Sequence, residues 1–154
     1  MDMKGNMREL VIANRGAAQI GKSSSIKAVY QLMKDKGHKL LVEEWQGGDI
    51  KAIFEIDGVK VGIESQGDPD SGMEPTMEAF VKENCEIIVT ACRTKSFTYE
   101  KVTDYLGKEN GYEILWAAHY VYRAPNADGI RAILNASYAQ QVYQLIQDRI
   151  NGVI

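Results

Sequence analysis

The sequence predicts an α/β fold: one domain over residues 1–154, with a mainly parallel sheet, one antiparallel hairpin and helices on both faces in three layers. Three observations predict it. Leu10-Val11-Ile12-Ala13 and Ile87-Ile88-Val89 are continuous apolar runs, the pattern of strands covered on both sides. Stretches with apolar residues at helical spacing alternate with such runs. Asp57-Gly58 sits between two β-type runs, a strong short-range hairpin signal.

Taken in chain order, the first strand is followed by a loop holding Gly16 and Gly21, then by a helix over about 22–36. That helix presents Ile26, Val29, Tyr30, Leu32 and Met33 on one face, and Gly37 suits its C-terminal cap. A second strand is expected over 39–43. The hairpin pairs 50–56 with 59–64, and a Gly-, Asp- and Ser-rich loop follows over 65–72. Pro75 suits the first turn of a helix reaching about Asn84, with Met77, Phe80 and Val81 inward. A buried strand over 86–91 leads to a helix over about 98–108, with Val102, Tyr105 and Leu106 inward. The last clear strand spans 112–119. Asn126 can cap a long final helix whose stripe is Ile130, Ile133, Leu134, Ser137, Tyr138, Gln141, Val142, Leu145 and Ile146. This helix is expected to lie along the sheet.

Composition bounds the class. At 154 residues, 45% hydrophobic and 25% charged, the chain suits a single globular core, and no repeat or Pro- or Ser-rich linker divides it. A net charge of -3 implies no broad attraction to nucleic acid or anionic membrane, so neither is an expected partner. No apolar run approaches the roughly 18 residues that cross a bilayer. Residues 1–8 are polar and lack a signal peptide's apolar core. Cys85 and Cys92 match no metal or redox spacing and are too few for a disulfide scaffold, so a reduced, cytoplasmic protein is expected. His38 and His119 lie too far apart in sequence to suggest zinc.

Gly16-Ala17-Ala18-Gln19-Ile20-Gly21-Lys22-Ser23 matches G-x-x-x-x-G-K-[ST] at every fixed position. Average residue frequencies would place the pattern in a chain of this length about once in a hundred cases. The two glycines let the backbone turn where a Cβ would interfere, so that successive N–H groups point at phosphate oxygens. The helix start adds its positive end. Lys22 brings an ammonium to the β- and γ-phosphates, Ser23 offers a hydroxyl to Mg²⁺, and Ser24 is a candidate for the α-phosphate. The alternative is a Gly-rich turn carrying a surface lysine.

At these residues the chain resembles the P-loop NTPase superfamily. The resemblance implies a doubly wound α/β fold, binding of a Mg²⁺-nucleotide, and phosphoryl transfer or hydrolysis; it does not choose among the subfamilies. Glu64, which ends a strand, is the candidate second acid for the metal. Glu64-Ser65-Gln66-Gly67 looks like the Asp-x-x-Gly of small GTPases with Glu in place of Asp. Gln66 or Asp68 would then orient water or an acceptor; the other reading is a polar loop after an edge hairpin. The guanine-selecting Asn-Lys-x-Asp has no counterpart, because Thr90-Ala91-Cys92-Arg93-Thr94-Lys95 follows the later strand. ATP is therefore expected over GTP.

Arg93, just beyond a strand's carboxyl end, is a candidate phosphate clamp, with Thr90 lining the same crevice and a solvated basic turn as the alternative. Asp68 and Asp70 also fit an ordinary turn. Arg123 and Arg131 are weaker candidates, Glu43-Glu44-Trp45 fits a base contact or a strand end, and Trp116 fits the core. The expected activity is hydrolysis of a nucleoside triphosphate with Lys22, Glu64, Asp68 and Arg93 as the catalytic set. The alternatives are a small-molecule or nucleotide kinase and a non-catalytic nucleotide switch; self-association, which would supply an arginine in trans, remains open.

Overall fold

The computed structural model describes residues 8–15, 22–66, 73–92, 97–118 and 127–154. Among these residues the chain forms a six-stranded mixed sheet and four helices. The strands are β1 (Leu10–Arg15), β2 (Lys39–Gln46), β3 (Asp49–Ile56), β4 (Val59–Glu64), β5 (Ile87–Cys92) and β6 (Glu113–Ala118). The helices are α1 (Lys22–Asp35), α2 (Met73–Lys82), α3 (Phe97–Glu100, continuing as a π-helical stretch over Lys101–Glu109) and α4 (Ala127–Ile150).

The sheet order is β2-β3-β4-β5-β1-β6. β4, β5, β1 and β6 run parallel to one another, whereas β2–β3 and β3–β4 pair antiparallel. Half of the sheet's order is therefore an antiparallel meander with two hairpins, where the sequence led us to expect a mainly parallel sheet with one. The Asp57-Gly58 turn is as expected, with φ of 50° and 79° at its two central residues, the positive values that a type I′ turn needs. The unexpected hairpin turns at Gly47-Gly48, and Gly47 has φ 61°. The charged, exposed end of β2 hid it: Glu43, Glu44, Trp45 and Gln46 are all exposed, so no inward-outward alternation marks that half of the strand.

β1 is an interior strand between β5 and β6, and its side chains alternate between two apolar clusters. Leu10 and Ile12 join Ile26, Val29 and Met33 of α1 and Val142 and Ile146 of α4. Val11 and Ala13 join Met77 and Phe80 of α2 and Val102 and Leu106 of α3. The two sets lie on opposite faces because neighbouring strand residues point to opposite sides. Helices thus cover both faces, α1 and α4 on the first, α2 and α3 on the second.

α1 ends as expected at Gly37, whose φ of 78° closes a Schellman cap: its N–H donates to the Lys34 carbonyl at 3.0 Å, and the His38 N–H to that of Met33 at 3.3 Å. α4 departs from its expected stripe. Its principal partner is α1, not the strands. Val142 and Ile146 are buried, but Ile133 is 70% exposed. Length explains this: α4 has 24 residues and α1 has 14, so α4 outruns its partner by about 15 Å at the helical rise. No helix among the described residues is long and apolar enough to cross a membrane.

Candidate functional site

The carboxyl ends of β4, β5, β1 and β6 form one edge of the sheet. β1 and β5 are neighbours there, yet α1 follows β1 onto the first face while α3 follows β5 onto the second. In open α/β sheets such a divergence opens a crevice outside the strand ends, where ligands bind. The Gly16-to-Ser23 motif spans the β1–α1 connection at that point: β1 ends at Arg15 and α1 begins at Lys22. Residues 16–21, and the side chains of Lys22 and Ser23, lie outside the described residues, as do Asp68, Asp70, Arg93, His119 and Arg123. Lys22, Ser23 and Ser24 form the first turn of α1, and Ser24 is exposed.

A hydrogen bond that the sequence did not announce ties strand to helix across this connection. Asn14 is fully buried on the α1 face of β1, and its Nδ2 donates to Ser25 Oγ at 2.6 Å. Its Oδ1 accepts no hydrogen bond from the described residues. The signal was present in principle: Asn14 continues an apolar strand with the alternation that places it on the face of Leu10 and Ile12, and Ser25 precedes Ile26 on the buried side of α1.

Pairing brings the other side chains together. Trp116, Ala13, Thr90, Glu64 and Lys51 occupy one row across five strands, each opposite the next. Residues in register share a face, here the face of α2 and α3. Glu64 ends β4 and is fully buried; Thr90 Oγ1 donates to its Oε2 at 2.6 Å. Two strand spacings, about 10 Å, separate Glu64 from Ala13 of β1. The sequence singled out Glu64 and Thr90 separately but not their bond, which depends on β4 lying next to β5. Ser65 and Gln66 continue beyond the strand as buried polar residues. Ser65 Oγ accepts from the Ile50 N–H at 2.9 Å and donates to Asp49 Oδ1 at 3.0 Å, and Gln66 Nε2 donates to Gln46 Oε1 at 3.0 Å. Gln66 therefore braces the β2–β3 hairpin. A polar cleft of about 170 Å³ opens beside it, lined by Glu44, Gln46, Asp49, Lys51, Gln66 and Thr76 among others.

Glu43-Glu44-Trp45 is a strand end, not a contact near β1: β2 lies four strand spacings away, about 19 Å. Glu43 accepts from the Tyr30 hydroxyl, which together with Lys34 holds its carboxyl below the ordinary value, while burial and Glu43 push the Tyr30 phenol up. Trp116 is only partly buried; its ring stacks on Tyr99 at 5.2 Å between centroids with 21° between planes. Arg131 is exposed in α4. Among the described residues no group of three or more His, Cys, Asp or Glu side chains is arranged to hold a metal ion by itself. Comparison with protein-family models, curated proteins and solved structures finds no match to this chain.

Proposed function

We propose that this chain binds a magnesium–nucleoside triphosphate, ATP before GTP, at residues 16–23, and hydrolyses it as a three-layer member of the P-loop NTPase superfamily. One observation carries the reading: the Gly16-to-Ser23 motif lies in sequence between the interior strand β1 and helix α1, at the point where neighbouring connections diverge to opposite faces. The main-chain amides of that connection and the N-terminal end of α1 are suited to phosphate oxygens. Lys22 neutralises the β- and γ-phosphates.

The donor set fits a hard cation: the Ser23 hydroxyl at the start of α1 and the Glu64 carboxylate are oxygen donors of the kind Mg²⁺ prefers, and they would hold the ion. When bound, the ion would offset the charge on the phosphates. Thr90 holds the Glu64 carboxylate in one orientation. Arg93 and Asp68, in the sequence segments that follow β5 and β4, complete the catalytic set as phosphate clamp and water- or acceptor-orienting group.

Phosphate release from Mg-ATP by the purified chain tests the reading. Turnover should vanish in Lys22→Ala, and in Glu64→Gln the Mg²⁺ dependence should weaken together with the rate. No release with either ATP or GTP would remove hydrolysis, and calorimetric titration would then separate the remaining outcomes. Triphosphate bound much more tightly than diphosphate would mark a switch. A rate that rises faster than protein concentration would point to an arginine supplied by a second copy.

Phosphoryl transfer to a small molecule is the second reading, favoured by the polar cleft beside Lys51 and Gln66. Lys51 stands directly opposite Glu64 in the sheet, so an acceptor seated there would face the same edge. ATP consumption that appears only when an acceptor is added would select this reading over hydrolysis.

A further inference from the structure

We propose that Trp116 and Tyr99 form an aromatic platform on which the nucleotide's base stacks, so that the site requires a base and its preference for ATP over GTP stays within a few-fold. The proposal rests on the triphosphate reading above and adds the part of the ligand that the phosphate loop does not recognise.

Trp116 belongs to β6, the strand next to β1 on the side away from β5, and stands opposite Ala13. Ala13 lies two residues before Arg15, the end of β1, which is about 7 Å along the strand. A ribose and base can bridge that interval from a phosphate held in the loop. Tyr99 reaches the same place from α3, the helix that follows the β5 connection on the second face of the sheet. The two rings lie nearly parallel, and each packs at the margin of the α2–α3 cluster without being fully buried. A stacked pair of this kind presents a flat, rigid π-surface at little cost in side-chain entropy.

The other Trp–Tyr pair among the described residues serves as a contrast. Trp45 meets Tyr30 edge-on, at 89° between planes, on the edge strand about 19 Å from β1, and offers no comparable surface near the loop. Base tolerance follows from the chemistry. Every base has a π-face, so stacking does not discriminate by hydrogen-bonding pattern. The sequence after β5 also lacks the carboxylate that selects guanine.

The test uses the full chain carrying Trp45→Phe, which leaves Trp116 as its tryptophan, titrated with ATP, GTP and inorganic tripolyphosphate in the presence of Mg²⁺. ATP and GTP should bind within a few-fold of each other and quench Trp116 emission. Tripolyphosphate should bind without quenching and about tenfold or more weakly. Trp116→Leu should bring both nucleotides down to the tripolyphosphate level while leaving tripolyphosphate unchanged, and Trp116→Phe should restore much of the difference. Equal affinity for nucleotide and tripolyphosphate in the unsubstituted chain would overturn the platform. So would a nucleotide preference that survives Trp116→Leu, or a Trp116→Leu chain that loses tripolyphosphate as well. A chain that binds neither tripolyphosphate nor any nucleotide would instead sink the phosphate-loop reading itself, and the platform with it.

Discussion

Glu64 combines two demands in one side chain: it is the candidate acid of the site and a carboxylate fully removed from solvent. A buried carboxylate holds its place only if hydrogen bonds replace water, and Thr90 supplies one of these at 2.6 Å. Thr90→Val keeps the shape and removes the donor. It should lower stability by about 1–3 kcal/mol, read from urea unfolding at neutral pH; an unchanged midpoint would mean the bond contributes nothing. Two residues earlier, Gly62 faces α2 so closely that an added Cβ would stand 2.8 Å from the Phe80 ring. Gly62→Ala should therefore cost about 1–3 kcal/mol by overpacking, even though the Gly62 backbone conformation is open to any residue. Glu64 was legible as a site candidate because it ends an apolar run before a polar loop. Its partner was not, because 26 residues separate Thr90 from it.

Among the elements, the edge strand and the last helix show how far local pattern reaches. β2 closes one side of the sheet with a bulge between Leu40 and Val42 and with Lys39, Glu43 and Glu44 along its length, devices that discourage pairing with another chain. Those same features erase the alternation by which a strand is recognised, so its second half escaped the sequence. α4 shows the reverse case. Its apolar stripe is readable from end to end, but tertiary packing uses only part of it. Ile146→Ala should cost about 2–5 kcal/mol, because it removes a buried side chain between α4, α1 and the sheet. Ile133→Ala, at a position 70% exposed, should stay within about 0.5 kcal/mol. Thermal unfolding of the two variants checks the pair. Equal losses would mean that the first half of α4 is packed after all.

For the molecule as a whole, titration should expose the fold from both sides. Arg149, with Arg8, holds the Glu113 carboxyl below its ordinary 4.5, tying β6 to α4 and to the start of the chain. A lowered carboxyl stabilises the fold above its unfolded value and loses that contribution as pH falls through the folded one. Stability should therefore decline below about pH 4.5, and Glu113→Gln should flatten that limb. At the alkaline end, burial pushes the Cys85 thiol from 9.0 up to about 12 and raises the phenols of Tyr112 and Tyr138. A group raised in the fold stabilises it below the unfolded value and ceases to do so as pH climbs toward the folded one. Unfolding midpoints should fall between about pH 9 and 12, and Cys85 should resist thiol reagents at pH 8 until the chain unfolds. A thiol that reacts at once in the native protein would contradict that burial.

By itself the sequence determined the α/β class, the strand before and the helix after the Gly16-to-Ser23 pattern, the Asp57-Gly58 hairpin and the Gly37 cap, and it singled out Glu64 as a candidate acid. Each is a matter of local chemistry: apolar period, backbone conformation at glycine, or a short pattern of donors. Tertiary structure alone decided the order β2-β3-β4-β5-β1-β6, and with it everything that spans strands. That order sets Glu64 beside Thr90, Trp116 beside Ala13, and the β1 and β5 connections on opposite faces. Strand order rests on pairings between residues distant in the chain, whose energies depend on the whole sheet being assembled, so no window of sequence contains them.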